Sequence, residues 1–151
     1  MPENKVGAPL EGHTPVFKLS LSKEERLSRK KIIEEVFKNG ISIKSQAIII
    51  IYYYTELPCK FPAQVMFTAS KKLYKRAHDR NRIKRLLREA YRKQKHIVYN
   101  SLNQKKKQAA LLFIFTGRQL PNYPYVHGKM SELLRKFTTA PMQIEKKNTN
   151  N

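Results

Sequence analysis

Hydrophobic and polar positions along the chain predict a succession of amphipathic helices and buried strands. The segment SRKKIIEEVFKNG (28–40) has apolar residues at helical spacing, a candidate N-cap at Ser28 and a terminating glycine at Gly40. Its apolar positions are Ile32, Ile33, Val36 and Phe37. This pattern predicts a short amphipathic helix.

Three further runs have the length and residue types of strands. SQAIIIIYYY (45–54) is apolar at both parities, which predicts a strand covered on both faces. AQVMFTAS (63–70) alternates in polarity and predicts a second strand, antiparallel to the first run if the proline-containing loop between them closes a hairpin. AALLFIFT (109–116) has the composition of a third, buried strand.

The end of the chain predicts a closing helix within one compact domain. VHGKMSELLRKF (126–137) carries an apolar face at helical spacing, formed by Val126, Met130, Leu133, Leu134 and Phe137. Residues 1–20 contain three prolines and two glycines without periodicity, and residues 138–151 are mostly polar, so both predict flexible ends. The domain is expected to span residues 21–137, a size typical of a single core.

A strongly basic helix is predicted between the second and third strands, around DRNRIKRLLREAYR (79–92). Its apolar stripe occupies an arc of roughly 120° and consists of Ile83, Leu86, Leu87, Ala90, Tyr91, Ile97 and Val98. The opposite arc is expected to expose Lys84, Arg85, Arg88, Arg92 and Lys95. Asp79 is a candidate N-cap, which places Arg80 in an exposed first turn where cations oppose the helix dipole.

Charge indicates a polyanionic partner for this helix. The net charge is +20, and twelve cations between Lys71 and Lys95 face only the acids Asp79 and Glu89. An ordinary solvated face would alternate signs at i and i+4, so phosphate binding is the favoured interpretation. Arginine's planar fork suits irregular RNA, and no second helix joined by a tight turn precedes this one, which disfavours DNA. An 18-residue apolar run and a secretory leader are both lacking, so we expect a cytoplasmic protein that does not contact membrane.

Candidate catalytic and metal-binding groups are lacking in the sequence. Cys59 is the only cysteine, the four histidines lack ligand spacing, and no glycine pattern typical of nucleotide binding is present. A nuclease acting without RNA would need clustered carboxylates, which we do not find among 11 acids. A non-enzymatic RNA-binding or assembly protein, for example on the ribosome, fits the composition equally well.

The run ASKKLYKRAHDRNRIKRLLREAYR (69–92) resembles the signature of the protein subunit of bacterial ribonuclease P. The likeness extends to RLSRKKIIEEVFKNG (26–40) and LLFIFTGR (111–118), so it covers roughly residues 25–137 and decides against the ribosomal alternative. The resemblance implies an α/β (α+β) two-layer sandwich of about four strands and three helices. It also implies a left-handed β-α-β crossover around the RNR helix, where the general rule is right-handed.

The resemblance further implies a ribonucleoprotein that removes the 5′ leader from precursor tRNA. In that family the RNA subunit and its Mg²⁺ ions perform the hydrolysis, so no catalytic or metal-ligating residue is expected in the protein. The implied partners are the catalytic RNA and the 5′ leader. The residues implied to bind RNA are Lys71, Lys72, Arg76, Arg80, Asn81, Arg82, Lys84, Arg85, Arg88 and Arg92.

A cleft between the first helix and the sheet is implied to hold the leader. Phe37 matches an aromatic of that cleft, although its spacing also suits a core position. Ile33 stands where many relatives carry a second aromatic, which removes one stacking platform. Tyr53 is the strand candidate and Tyr52 the substitute, because a shift of one residue in register exchanges the two faces of a strand.

Overall fold

The computed structural model of the protein describes residues 20–142. The elements in chain order are a 3-10 turn at Lys23–Glu25, α1 at Lys30–Asn39, β1 at Ile41–Ser45, β2 at Ile48–Tyr54, β3 at Ala63–Ala69, α2 at Ala77–Lys105, β4 at Ala109–Phe115 and α3 at Tyr123–Thr139. The predicted flexible ends, 1–20 and 138–151, lie outside the described residues except for Ser20 and residues 138–142. At the C-terminal boundary, α3 continues two residues past the expected end of the domain.

The four strands form one mixed sheet in the order β1-β2-β4-β3. β2 is antiparallel to β1 and to β4, whereas β3 and β4 are parallel neighbours joined through α2. The β-α-β crossover around the basic helix is thereby confirmed. The predicted hairpin between 45–54 and 63–70 is wrong, because β4 lies between those strands. β4 is buried at every position except Ile114, and a central place gives it two partners and two covered faces.

The fourth strand, β1, lies in a segment that the sequence patterns did not single out. ISIKS (41–45) pairs with β2 through a two-residue turn, so Ser45 closes β1 and does not open β2. Gln46 in this turn has φ 52°, a left-handed conformation normally signalled by Asn or Gly. Because Gln46 stands where Asn or Gly would be expected, the sequence did not indicate the hairpin of β1 and β2.

The sheet is covered on both faces, as the apolar run 45–54 predicted. Ile48, Ile50, Tyr52 and Tyr54 point into the main core beneath α2 and α3. The alternate residues Ile49, Ile51 and Tyr53 lie half-buried on the face that carries α1. The predicted α+β sandwich is confirmed, with the shorter α1 over part of the second face. No helix within residues 20–142 is long and apolar enough to span a membrane.

Gly40 brings the end of α1 close to the sheet. Helix α1 begins after Arg29, without a side-chain cap, so Ser28 is not the N-cap. Gly40 follows the helix with an ordinary extended φ of −74°, so a left-handed cap is not its role. A Cβ atom there would lie 2.4 Å from the Val36 carbonyl oxygen and 2.7 Å from Ile51 Cγ2. The glycine is therefore required by close approach.

Helix α2 differs from the prediction at its start and at Lys95. Its N-cap is Arg76 and Asp79 lies within the first turn, so the predicted cap is wrong. The apolar stripe is confirmed: five members are fully buried, and Leu86 and Ile97 are half-buried against the same core.

Lys95, expected on the exposed arc, is only 2% exposed and belongs to a buried polar cluster. Its Nζ lies 2.6 Å from Glu25 Oε1 and donates to the Ser20 carbonyl at 2.7 Å. Glu25 also accepts hydrogen bonds from Tyr99 OH and from the Ser22 amide. These contacts connect the segment before α1 to the middle of α2 and compensate for the burial of the lysine charge.

Candidate RNA interface

The basic surface comprises the loop after β3 and the outer side of α2. Its members are Lys71, Lys72, Arg76, Arg80, Asn81, Arg82, Lys84, Arg85, Arg88 and Arg92. All are exposed except Arg80, Lys84 and Arg92, which are half-buried. Because the other side of α2 is packed in the core, the helix presents these side chains from a rigid base.

Arg80 has a structural role within this surface. Its Nη1 donates to the Tyr74 carbonyl at 2.7 Å and to the Lys75 carbonyl at 2.9 Å. Tyr74 is itself buried, and its hydroxyl donates to the Gly117 carbonyl at 2.6 Å. Arg80 therefore holds the loop that carries Lys71 and Lys72 against the start of α2, a contact that the sequence pattern did not reveal.

The two acids within the basic surface, Asp79 and Glu89, are both paired with arginines. Arg92 pairs with Glu89 through Nε at 2.9 Å and through Nη2, and the hydrogen bond from Arg92 lowers the pKa of Glu89. Arg76 Nε lies 4.0 Å from Asp79, a weak exposed pair.

The middle of the basic surface carries unpaired cations. Arg82, Arg85 and Arg88 form no ion pair with any acid in the part of the chain that the structure describes. Exposed guanidinium groups without a partner are suited to bidentate contacts with phosphate oxygens.

The residues predicted to line a leader cleft lie on α1 and on the sheet face that α1 covers. Phe37 on α1 is 60% exposed, which excludes the core position that its spacing also allowed. Ile33, one turn earlier, is half-buried on the same helix. Tyr53 lies on the sheet face that carries α1. The three predicted cleft residues therefore lie on the two elements between which the cleft is expected.

Tyr52, the substitute candidate, faces the opposite side of the sheet. It is fully buried and its hydroxyl donates to the Pro141 carbonyl at 2.7 Å. Burial raises the pKa of Tyr52 to about 12, so the phenol is neutral. The observed register thus places Tyr53, and not Tyr52, on the sheet face that carries α1.

Two residues of this sheet face were missed by sequence reasoning. Met66 on β3 and Ile114 on β4 are half-buried beside the small cluster under α1. Their neighbours across the parallel pair are Leu112 and Thr68. Strand alternation would have identified both, but only once the pairing of β3 with β4 was known.

Comparison with known proteins decides the family. The family model described as "Ribonuclease P" matches residues 21–138. The chain belongs to the ribonuclease P protein family. It is 36% identical over 125 residues to the "Ribonuclease P protein component" of Chlorobaculum tepidum, covering 77% of this chain and 81% of the relative. The corresponding protein of Porphyromonas gingivalis is 32% identical over 114 residues, covering 76% of this chain and 83% of the relative.

Solved structures show the same fold. The ribonuclease P protein from Thermotoga maritima has a TM-score of 0.59 at 20% identity, covering 74% of this chain and 96% of that one. The Staphylococcus aureus ribonuclease P protein has a TM-score of 0.56 at 17% identity, covering 75% of this chain and 94% of that one.

Family membership assigns the role of the chain. As the ribonuclease P protein subunit it acts in tRNA 5′ processing, within a holoenzyme whose other component is the catalytic RNA. The protein alone is not catalytic. Within residues 20–142, no group of three or more His, Cys, Asp or Glu residues is placed to hold a metal ion.

Proposed function

We propose that the basic surface binds the phosphate backbone of the ribonuclease P RNA and that the cleft binds the 5′ leader of precursor tRNA. The observation that carries the first part is the row of exposed, unpaired arginines Arg82, Arg85 and Arg88 on a helix anchored in the core. The observation that supports the second part is the 60% exposed ring of Phe37 beside an apolar sheet face.

The arginine row has a geometry suited to a phosphate backbone. Residues three apart on a helix are separated by about 4.5 Å along its axis, so the row spans about 9 Å on one rigid element. Little backbone conformational entropy is lost on binding, because the helix backbone is already ordered by its buried stripe. Lys71 and Lys72 extend the charge onto the loop held by Arg80.

The cleft offers stacking and apolar contact, which favour unpaired nucleotides. An exposed aromatic ring stacks on any base, typically for about 1 to 3 kcal/mol, so the leader sequence need not be specified. Ile33 and Tyr53 would border the same nucleotide path. We also propose that the Mg²⁺ ions of the reaction are bound mainly by the RNA subunit, while protein cations screen RNA phosphates.

The test compares two triple variants of equal charge. Arg82→Gln, Arg85→Gln and Arg88→Gln together should flatten the salt dependence of RNA-subunit binding by about 2 to 3 in log–log slope, at roughly 0.7 to 0.9 per lost phosphate contact. The control replaces Lys44, Arg135 and Lys136, which are exposed on β1 and α3, by Gln. Equal slopes for the two variants would show that α2 is not the RNA contact.

A further inference from the structure

A second group of lysines surrounds a groove at the opposite end of α2 from the basic surface. The groove has a volume of about 640 Å³ and is lined by Lys60, Lys106, Lys107, Asn103 and Gln108 among others. An adjoining groove of about 680 Å³ shares Lys60 and Asn103 and adds Lys23. We call the two together the far-end groove. Because α2 has 29 residues, the far-end groove lies about 40 Å along the helix from the RNR residues.

The lysines of the far-end groove come from three separate segments and lack acidic partners. Lys60 lies in the loop between β2 and β3, Lys106 and Lys107 follow α2, and Lys23 belongs to the 3-10 turn. None of the four forms an ion pair within residues 20–142. Glu56 lines the first groove and Glu24 the adjoining one, so the four lysines outnumber the acids by two and the far-end groove keeps a net positive charge.

Gln108 holds the loop that carries Lys60 in one conformation. Its Oε1 accepts from the Leu57 amide at 2.8 Å, and its Nε2 donates to the carbonyls of Cys59 at 3.0 Å and Phe61 at 2.8 Å. These last two residues flank Lys60 on both sides. The lysine is thus presented from an ordered backbone across from the end of α2.

Helix capping explains only part of this arrangement. Lys106 adopts the left-handed conformation, with φ 56° and ψ 44°, at a position where glycine is less strained. Cations do stabilise a helix C-terminus, and that effect accounts for Lys106 and Lys107. It does not account for Lys60 and Lys23, which belong to other segments and line the same groove.

We propose that the far-end groove binds the phosphodiester backbone of a second RNA segment, apart from the segment bound at the basic surface. This inference rests on the proposed RNA-binding function of the chain. Contacts there would be mainly with phosphates, because Tyr54 in the first groove is buried and accepts a hydrogen bond from Lys105, while Phe61 in the adjoining groove is half-buried against the core. The RNA segment belongs either to the ribonuclease P RNA or to precursor tRNA.

The test measures salt dependence in two binding reactions. Lys60→Gln, Lys106→Gln and Lys107→Gln are combined in the full-length chain and compared with the control triple at Lys44, Arg135 and Lys136. One arm measures protein binding to the ribonuclease P RNA, and the other measures holoenzyme binding to precursor tRNA. The far-end variant should flatten the log–log slope by about 2 to 3 in one arm, which identifies the RNA concerned. Arginine at the same three positions should restore the slope.

Two results would overturn the proposal. The far-end variant could match the control triple in both arms, or arginine could fail to restore a lost slope although melting temperatures are unchanged. The arginine row on α2 is measured in parallel, so failure of the far-end groove is distinguished from failure of the proposed function. If only the α2 variant alters the slope, the basic surface stands and the far-end groove does not bind RNA.

Discussion

Replacing Lys95 tests the buried ion pair between α2 and the segment before α1. Lys95→Met keeps the length of the side chain but leaves the Glu25 carboxylate buried with only Tyr99 and Ser22 as donors. Breaking a buried pair in this way typically costs about 3 to 5 kcal/mol of unfolding free energy. For a domain of about 120 residues this lowers the melting temperature by about 12 to 20 °C.

Thermal and urea unfolding followed by circular dichroism measure this loss. The matched control is Lys93→Met, the same substitution two residues away at an exposed site over the Tyr123 ring, expected to cost about 1 kcal/mol or less. Combining Lys95→Met with Glu25→Gln should recover at least half of the loss, because no buried charge is then unpaired. Equal destabilisation by Lys95→Met and Lys93→Met would refute the reasoning and place the Lys95 ammonium in water, as the helical periodicity alone suggested.

Two further predictions concern pH and the cleft. Burial raises the pKa of Glu25, but hydrogen bonds from Lys95, Tyr99 and Ser22 outweigh it and the net pKa is lowered. The stabilisation is therefore present above the unfolded pKa of about 4.3 and is lost as pH falls through the lower folded value. Acid unfolding monitored by circular dichroism should begin at higher pH in Lys95→Met, and coincident acid transitions would contradict this assignment. Phe37→Ala should weaken holoenzyme binding of precursor tRNA by about 1 to 3 kcal/mol while leaving leaderless tRNA and the melting temperature nearly unchanged. Equal loss on both substrates would exclude a leader contact, with exposed Lys38→Ala as the control.

The sequence by itself determined the elements whose signals are local. Helical periodicity identified α1 and α3 and the apolar stripe of α2, since the side chains that create each pattern lie within one segment. The apolar run 109–116 identified a buried strand, and the apolar run 45–54 identified a strand covered on both faces. The signature around the RNR residues indicated the family, which comparison with relatives confirmed, and the excess of cations predicted the class of ligand.

Tertiary structure decided what depends on residues far apart in the chain. The insertion of β4 between β2 and β3 follows from burying the most apolar strand, and the hairpin signal of the intervening loop could not reveal it. Only the resulting register places Tyr53 rather than Tyr52 on the α1 face. Lys95 is buried because Glu25 lies 70 positions earlier in the chain, and a helical wheel contains no such partner.

The site itself shows the same division. The charges of the basic surface can be predicted from the sequence, because a run of cations is recognised without knowledge of the fold. The role of each cation cannot be predicted in the same way, since Arg80 donates to the Tyr74 and Lys75 carbonyls in the loop that precedes α2. The far-end groove likewise joins three segments, so its lysines appear in sequence as unrelated charges. Local composition therefore specified which chemistry this protein carries, and long-range packing specified which side chains are available to perform it.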